Sequence, residues 1–294
     1  MSFQDKILDS FIAFEQDLDL ENPVHIDRRN ALKRFENKGF PTKKDELWKY
    51  TSLRSIVNKD YSLSVKRNPN IGIKDIKKYS INDIDSFKII FVDGVFNPFL
   101  SNTTHDGMDI CVLSAALSKK KYQTIINKYF NKIVPDNESL ASLNTSYTQE
   151  GAYIYIPKSV LPEDPVQILH FSTGKNKPLW LQPRNVIIVQ ENARVEIIER
   201  HQSLKSHEGV TNSLTEIYAE KNSFVDYYKI QNDLETSHLI DNTFIDQQRD
   251  SNVRVHTFSF GGKLTRNNLN FYHKGENIQS TLKGLSIIST LAFS

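Results

Sequence analysis

The chain carries one cysteine in 294 residues, Cys111. A single thiol forms no intramolecular disulfide, which fits a reducing compartment, and it falls short of the several thiolates that a zinc knuckle or a self-contained iron–sulfur cluster needs. Charge of one sign is also scarce: 37 Lys and Arg stand against 35 Asp and Glu, a formal net charge of +2. Phosphate backbones are bound through a concentrated basic excess, so nucleic acid is not an expected partner, and the run Lys119–Lys121 reads as a solvated helix face. No stretch approaches the ~20 apolar residues of a membrane-spanning helix. Asp5, Lys6 and Asp9 stand where a secretory signal would be apolar. The expectation is a cytoplasmic protein without a membrane partner.

What is present suits a folded chain of about two domains, with 38% hydrophobic and 24% charged residues. Residues 1–150 read as a helical and mixed domain. Phe3, Ile7, Phe11 and Phe14 fall on one helix face, and Pro23 stops that pattern. Asp27 is placed to cap a second helix through Ala31, Leu32 and Phe35, ended by Gly39. Thr42 and Asp45 resemble a capping box, after which Leu47 and Trp48 are expected to pack inward. Phe87–Val92 has strand character and meets the turn signal Asp93–Gly94, leading to Val95–Phe96. Residues 114–133 read as one helix closed before Pro135.

From Gly151 to Ser294 the texture changes to short strands. Val195, Val225 and Val255 fall thirty residues apart, and the same step reaches Leu285 and, one residue out, Val166. A second strand fills each period, at Asn185–Val189, Asn212–Ile217, Asn242–Ile245 and Asn267–Phe271. A fixed period of this size marks a solenoid, whose units bury their apolar faces only by stacking. The fold class is therefore mainly β, a right-handed parallel β-helix over 151–294 preceded by the α-helical and mixed region.

The thirty-residue step places Glu196, Asp226 and His256 one above another, and Glu216 above Asp246. Such outward ladders suit a cation or the acid pair of a polysaccharide-cleaving enzyme, yet alternation makes the neighbours of inward valines polar in any case. His201 and His207 are close enough in sequence to meet in a loop, but none of the eight histidines has the HExxH spacing. Cys111 alternates like a packed strand residue, Gly261–Gly262 is a turn without a nucleotide fingerprint, and the asparagines that open each strand read as turn or ladder residues. No catalytic constellation, cofactor site or metal site is assigned.

Several stretches in order resemble the SufB/SufD family of the SUF iron–sulfur cluster assembly system, the SufD type more than the SufB type. They are Arg29-Asn-Ala31 with Phe35 and Gly39–Thr51, then Phe91–Phe96, Leu143-Asn-Thr145 with Gly151 and Ile154–Pro157, and Pro183–Asn185 with Glu191–Ala193 and Glu199–His201. Thr211–Ser213 with Thr215-Glu216, and Gly261-Gly262 with Arg266–Leu269, Gly275-Glu276 and Leu282–Leu285, continue the likeness. The resemblance implies a helical region followed by a right-handed β-helix, and a non-catalytic scaffold subunit partnered by a SufB-like subunit and a SufC-like ATPase. It implies no cofactor on this chain alone, since the complex assembles the cluster. Family members continue well past Gly284–Ile288, whereas Ser289–Ser294 does not resemble the next coil; the expectation is a SufD-like chain lacking its C-terminal part, uncapped and prone to aggregate alone. The alternatives are a carbohydrate-active β-helix protein and an inactive SufD-like fragment.

Overall fold

A computed structural model describes residues 2–63, 71–81, 84–105, 107–148, 150–174 and 178–287; Ile288 and Ser289–Ser294 lie outside the described residues. Helix α1 (Phe3–Gln16) starts at Ser2, whose hydroxyl accepts from the Asp5 N–H, and it buries Phe3, Ile7 and Phe11. Helix α2 (Val24–Lys38) begins at Pro23, so Asp27 lies in its first turn and is not its cap. Gly39 closes it at φ 68, a region glycine enters freely. Asp45 accepts from the Thr42 N–H at 2.7 Å, but only a short 3-10 turn follows, at Glu46–Trp48. It buries Trp48 and leaves Leu47 exposed, because three residues present a single face.

Short helices α3 (Arg54–Val57) and α4 (Ile73–Ile76) precede the first strand. The expected helix over 114–133 is two, α5 (Leu113–Ser118) and α6 (Lys120–Tyr129), separated by Lys119 at φ −80, ψ 127. Helix α7 (Ser139–Ser146) is buried along its whole length.

Two sheets form a parallel β-solenoid. One contains β1 (Phe87–Val92), β2 (Val95–Phe96), β5 (Val166–Ser172), β8 (Arg194–Ser203), β10 (Phe224–Asp233), β12 (Asn252–Gly261) and β14 (Gln279–Ile287), in the order β14-β12-β10-β8-β5-β1-β2. The other contains β3 (Asp109–Val112), β4 (Ala152–Ile156), β7 (Arg184–Val189), β9 (Gly209–Ala219), β11 (Ser237–Gln247) and β13 (Leu264–His273), in the order β13-β11-β9-β7-β4-β3, with β6 (Leu179–Leu181) on β9. All pairs are parallel except β1 with β2 and β3 with β4. The first rung of the stack is thus β1, which pairs with β5, and Asp93–Gly94 turns with φ 49 and 80 as the hairpin requires.

The coil is not constant in length. Val225 pairs with Val195, but Val225 then pairs with Val253, and Val255 with Tyr227. Val166 pairs with Ile197, and Leu285 with Phe258. The expected thirty-residue register holds for one step and then slips. One corner repeats throughout at Asn192, Asn222, Asp250 and Asn277, each at positive φ between 52 and 62. Asn and Asp tolerate that conformation better than other residues with a Cβ. The side chains also stack, Asn222 donating to Asn192 Oδ1 at 2.8 Å and Asn277 to Asp250 Oδ1 at 3.1 Å.

Helices cover the outer face of the second sheet. Leu117, Tyr122, Ile126 and Tyr129 pack on Tyr153, Val186, Ile188, Leu214 and Phe244. Phe3, Phe40 and Tyr61 surround Trp180 with ring centroids 5.2–5.6 Å away. At this seam burial pushes the Glu150 carboxyl up to about 7 from 4.5. The folded chain then holds a proton that the unfolded chain has lost, so stability falls as pH rises through that window. Glu150→Gln is expected to be about 1–2 kcal/mol more stable than the parent near pH 8 and equal to it near pH 4, less than the full shift because the side chain is partly exposed. Urea denaturation at the two pH values checks this; no gain near pH 8 would show that the site is hydrated.

Candidate functional site

The interior of the solenoid divides along each long strand. Inward residues alternate, and in β8 they run Val195, Ile197, Glu199, His201; in β10, Val225, Tyr227, Lys229, Gln231; in β12, Val253, Val255, Thr257, Ser259. The first half of each strand joins the apolar core between the sheets. The second half is polar and still buried or half-buried. Parallel pairing turns these positions into columns: Glu199 beside Lys229 and Thr257, and His170 beside His201, Gln231 and Ser259.

Three of these side chains converge. His170, Glu199 and His201 are all buried, and their ligand-type atoms lie within 4.8 Å of one another. The two imidazoles stack at 4.5 Å and 7°, and Phe91 stacks on His170 from the preceding rung at 5.0 Å. Both Nε2 atoms face Glu199 Oε1, at 3.2 and 3.3 Å. Neither is aligned for a hydrogen bond, and both lack a hydrogen-bond partner.

Glu199 is held from the opposite side. Asn185 Nδ2 donates to Oε1 at 2.9 Å and the Tyr227 hydroxyl donates to Oε2. Asn185 is fixed in turn by donation to Thr215 Oγ1 at 3.1 Å and by accepting from the Ala152 N–H at 2.9 Å. Beyond Tyr227, Lys229 Nζ pairs with Asp241 at 2.7 Å and donates to Thr243 and Asn267. Burial alone would raise the Glu199 carboxyl, but the two imidazoles hold it well below the usual carboxylate range. Burial also opposes a charged His201, yet the Glu199 carboxylate raises it, while burial and the neighbouring His201 push His170 down. Chemically this is a buried N,N,O cluster with a carboxylate oriented by neutral donors.

The ladders expected from the sequence are rearranged. Asp226 does pair with Glu196, but it then pairs with Arg254, while His256 pairs with Tyr228 and stacks on it at 4.8 Å. Glu196 accepts from Arg194 at 2.6 Å, and buried Asp226 accepts from Arg254 at 2.6 Å. Glu216 pairs with Phe244 in the ladder, not with Asp246, which pairs with Tyr218. Far from facing solvent, Glu216 is fully buried beneath the helices against Arg184 at 2.6 Å, and Asp246 meets Lys274 at 2.5 Å. His201 does not meet His207, whose Nδ1 lies 2.8 Å from the Lys205 carbonyl. Cys111 sits in β3 against the helical cover, and burial pushes its thiol up, away from a reactive thiolate. Gly261 and Gly262 turn with φ 75 and 82.

The His170–Glu199–His201 cluster escaped sequence reasoning because its histidines are a coil apart. The readable signal was parity: Glu199 and His201 share the inward phase of Val195 and Ile197.

Residues 1–168 match the model of the SufBD protein N-terminal region, and residues 170–291 match that of the SUF system FeS cluster assembly SufBD core domain. The chain belongs to the SufBD family. An iron–sulfur cluster assembly SufBD family protein of Synechocystis is 25% identical over 89% of this chain and 59% of its own length. The iron–sulfur cluster assembly protein SufD of Escherichia coli is 25% identical over 86% of this chain and 56% of its own. SufB of Bacillus subtilis is 30% identical over 38% of this chain and 24% of its own. The chain therefore spans a little over half the length of the first two relatives. Membership agrees with the architecture, a helical and mixed region leading into a parallel solenoid. Among the described residues no helix is long and apolar enough to cross a membrane.

Proposed function

We propose that this SufBD chain acts as a SufD-type scaffold subunit, a non-catalytic cytoplasmic partner of a SufB-like subunit and a SufC-like ATPase in building iron–sulfur clusters. The observation that carries this reading is alignment across both family regions, over 86% of the chain, with a protein named SufD. The rigid stack of parallel rungs suits a scaffold, since each coil is fixed by its neighbours through continuous ladders. The outer carboxylates are occupied in ion pairs with arginines and a lysine, which weakens the case for an acid pair working on polysaccharide. The cluster itself is cargo of the assembled complex.

The test is co-expression of this chain with the SufB-like and SufC-like proteins of the same genome. A co-eluting complex is expected. Failure to associate, with all partners folded, overturns the assignment.

A further inference from the structure

We propose that His170, Glu199 and His201 form an interior binding site for one divalent first-row transition-metal ion of the Fe2+ or Zn2+ class. The proposal rests on the geometry of the triad and is independent of the scaffold reading.

The separations fit a coordination polyhedron. A tetrahedral ion with bonds of about 2.0–2.1 Å has ligand atoms about 3.3–3.4 Å apart. Glu199 Oε1 lies 3.2 and 3.3 Å from the two Nε2 atoms. Both nitrogens are buried, face that one carboxylate oxygen and have no aligned hydrogen-bond partner, so no other protein group competes with an ion for them. The third edge, between the two imidazole nitrogens, lies within 4.8 Å; a tilt of the stacked rings toward one another brings it into the same range, and the remaining coordination positions are left to water or another ligand.

The surroundings are those of a metal ligand set. The carboxylate is oriented by the Asn185 amide and the Tyr227 hydroxyl, and Asn185 is itself tied to Thr215 and to the Ala152 N–H. Outer partners of this kind fix ligand direction at metal sites. The local formal charges are those of Glu199 and Asp241 against Lys229, and Lys229 is engaged by Asp241. Glu199 is therefore the anionic ligand of the set, and a bound cation displaces any proton that the two imidazoles hold. Two imidazoles and one carboxylate select the Fe2+ and Zn2+ class over Ca2+ or Mg2+, which favour all-oxygen sets.

The test is titration of the metal-free full chain, under anaerobic conditions, with Co2+ as an optical probe and with Zn2+ and Fe2+ by equilibrium dialysis. One ion per chain is expected, with visible ligand-field bands for Co2+ and two imidazoles in its X-ray absorption spectrum. The double variant His170→Gln/His201→Gln is expected to lose at least about 100-fold in affinity, and Tyr227→Phe about 10-fold, the size of effect seen for outer partners. His273→Gln, on the exposed end of β13, should bind as the parent does. Absence of stoichiometric binding, or a folded double variant that binds like the parent, overturns the site. If the double variant does not fold, Tyr227→Phe decides: unchanged affinity there, or a spectrum without imidazole, counts against the proposal.

Discussion

Arg184→Met is expected to lower the unfolding free energy by about 3–5 kcal/mol, because it leaves a carboxylate buried without its counter-charge. Arg184 and Glu216 are both fully buried and 2.6 Å apart. The guanidinium also donates to Thr145 Oγ1 at 2.6 Å and Asn131 Oδ1 at 3.0 Å, and lies 4.6 Å over the Phe130 ring. Glu216 accepts in addition from the Asn131 N–H at 3.1 Å and the Tyr218 hydroxyl at 2.9 Å. Through this pair the β7–β9 ladder is tied to α7 and to the segment after α6. Replacing both partners by apolar residues, as in Arg184→Met with Glu216→Leu, should recover most of the loss, since the desolvation cost of two ions disappears together. Urea denaturation of the two single variants and the double variant measures the coupling. A single variant within about 1 kcal/mol of the parent would show that water reaches the pair.

Gly151→Ala should cost about 3–5 kcal/mol, from backbone strain and overpacking together. Gly151 has φ 142, and a Cβ there would stand 1.8 Å from the Arg184 carbonyl oxygen. Neither backbone is free to retreat: Arg184 N–H donates to the Glu150 carbonyl at 3.0 Å, and Leu113 N–H donates to the Gly151 carbonyl at 2.7 Å. Gly94→Ala is the matched comparison. It also has positive φ, but its Cβ would meet only the Leu181 side chain, at 3.0 Å. Its cost is expected near 1–2 kcal/mol, the penalty of the left-handed conformation. Equal melting of the two variants would mean that the collision at Gly151 is relieved by movement.

Much of the fold was legible because stacked coils write their period into the sequence. In-phase valines and a second strand per period sufficed for a solenoid, and Phe3, Ile7 and Phe11 for the first helix. The register was not legible beyond one step, because residues are removed between strands without changing the strands themselves. That slip moved His256 from beside Asp226 to beside Tyr228. Alternation also misjudged Glu216: it does point out of the solenoid, but helices cover that face, so outward does not mean solvated. The buried triad depends on His170 and His201 meeting across a ladder, a contact that no local spacing encodes.

The shortening of the coils falls on one side only. The corner beside the apolar half keeps its positive-φ residue at every turn. The opposite connections, at 204–208, 234–236 and 262–263, contract as the stack proceeds. These lie next to the polar half of the interior, where β8, β10 and β12 end. One edge of the solenoid therefore behaves like the spine of a book and the other like its trimmed margin. Changes in coil length accumulate where polar side chains leave room for alternative contents, while the packed apolar half remains in line along the spine.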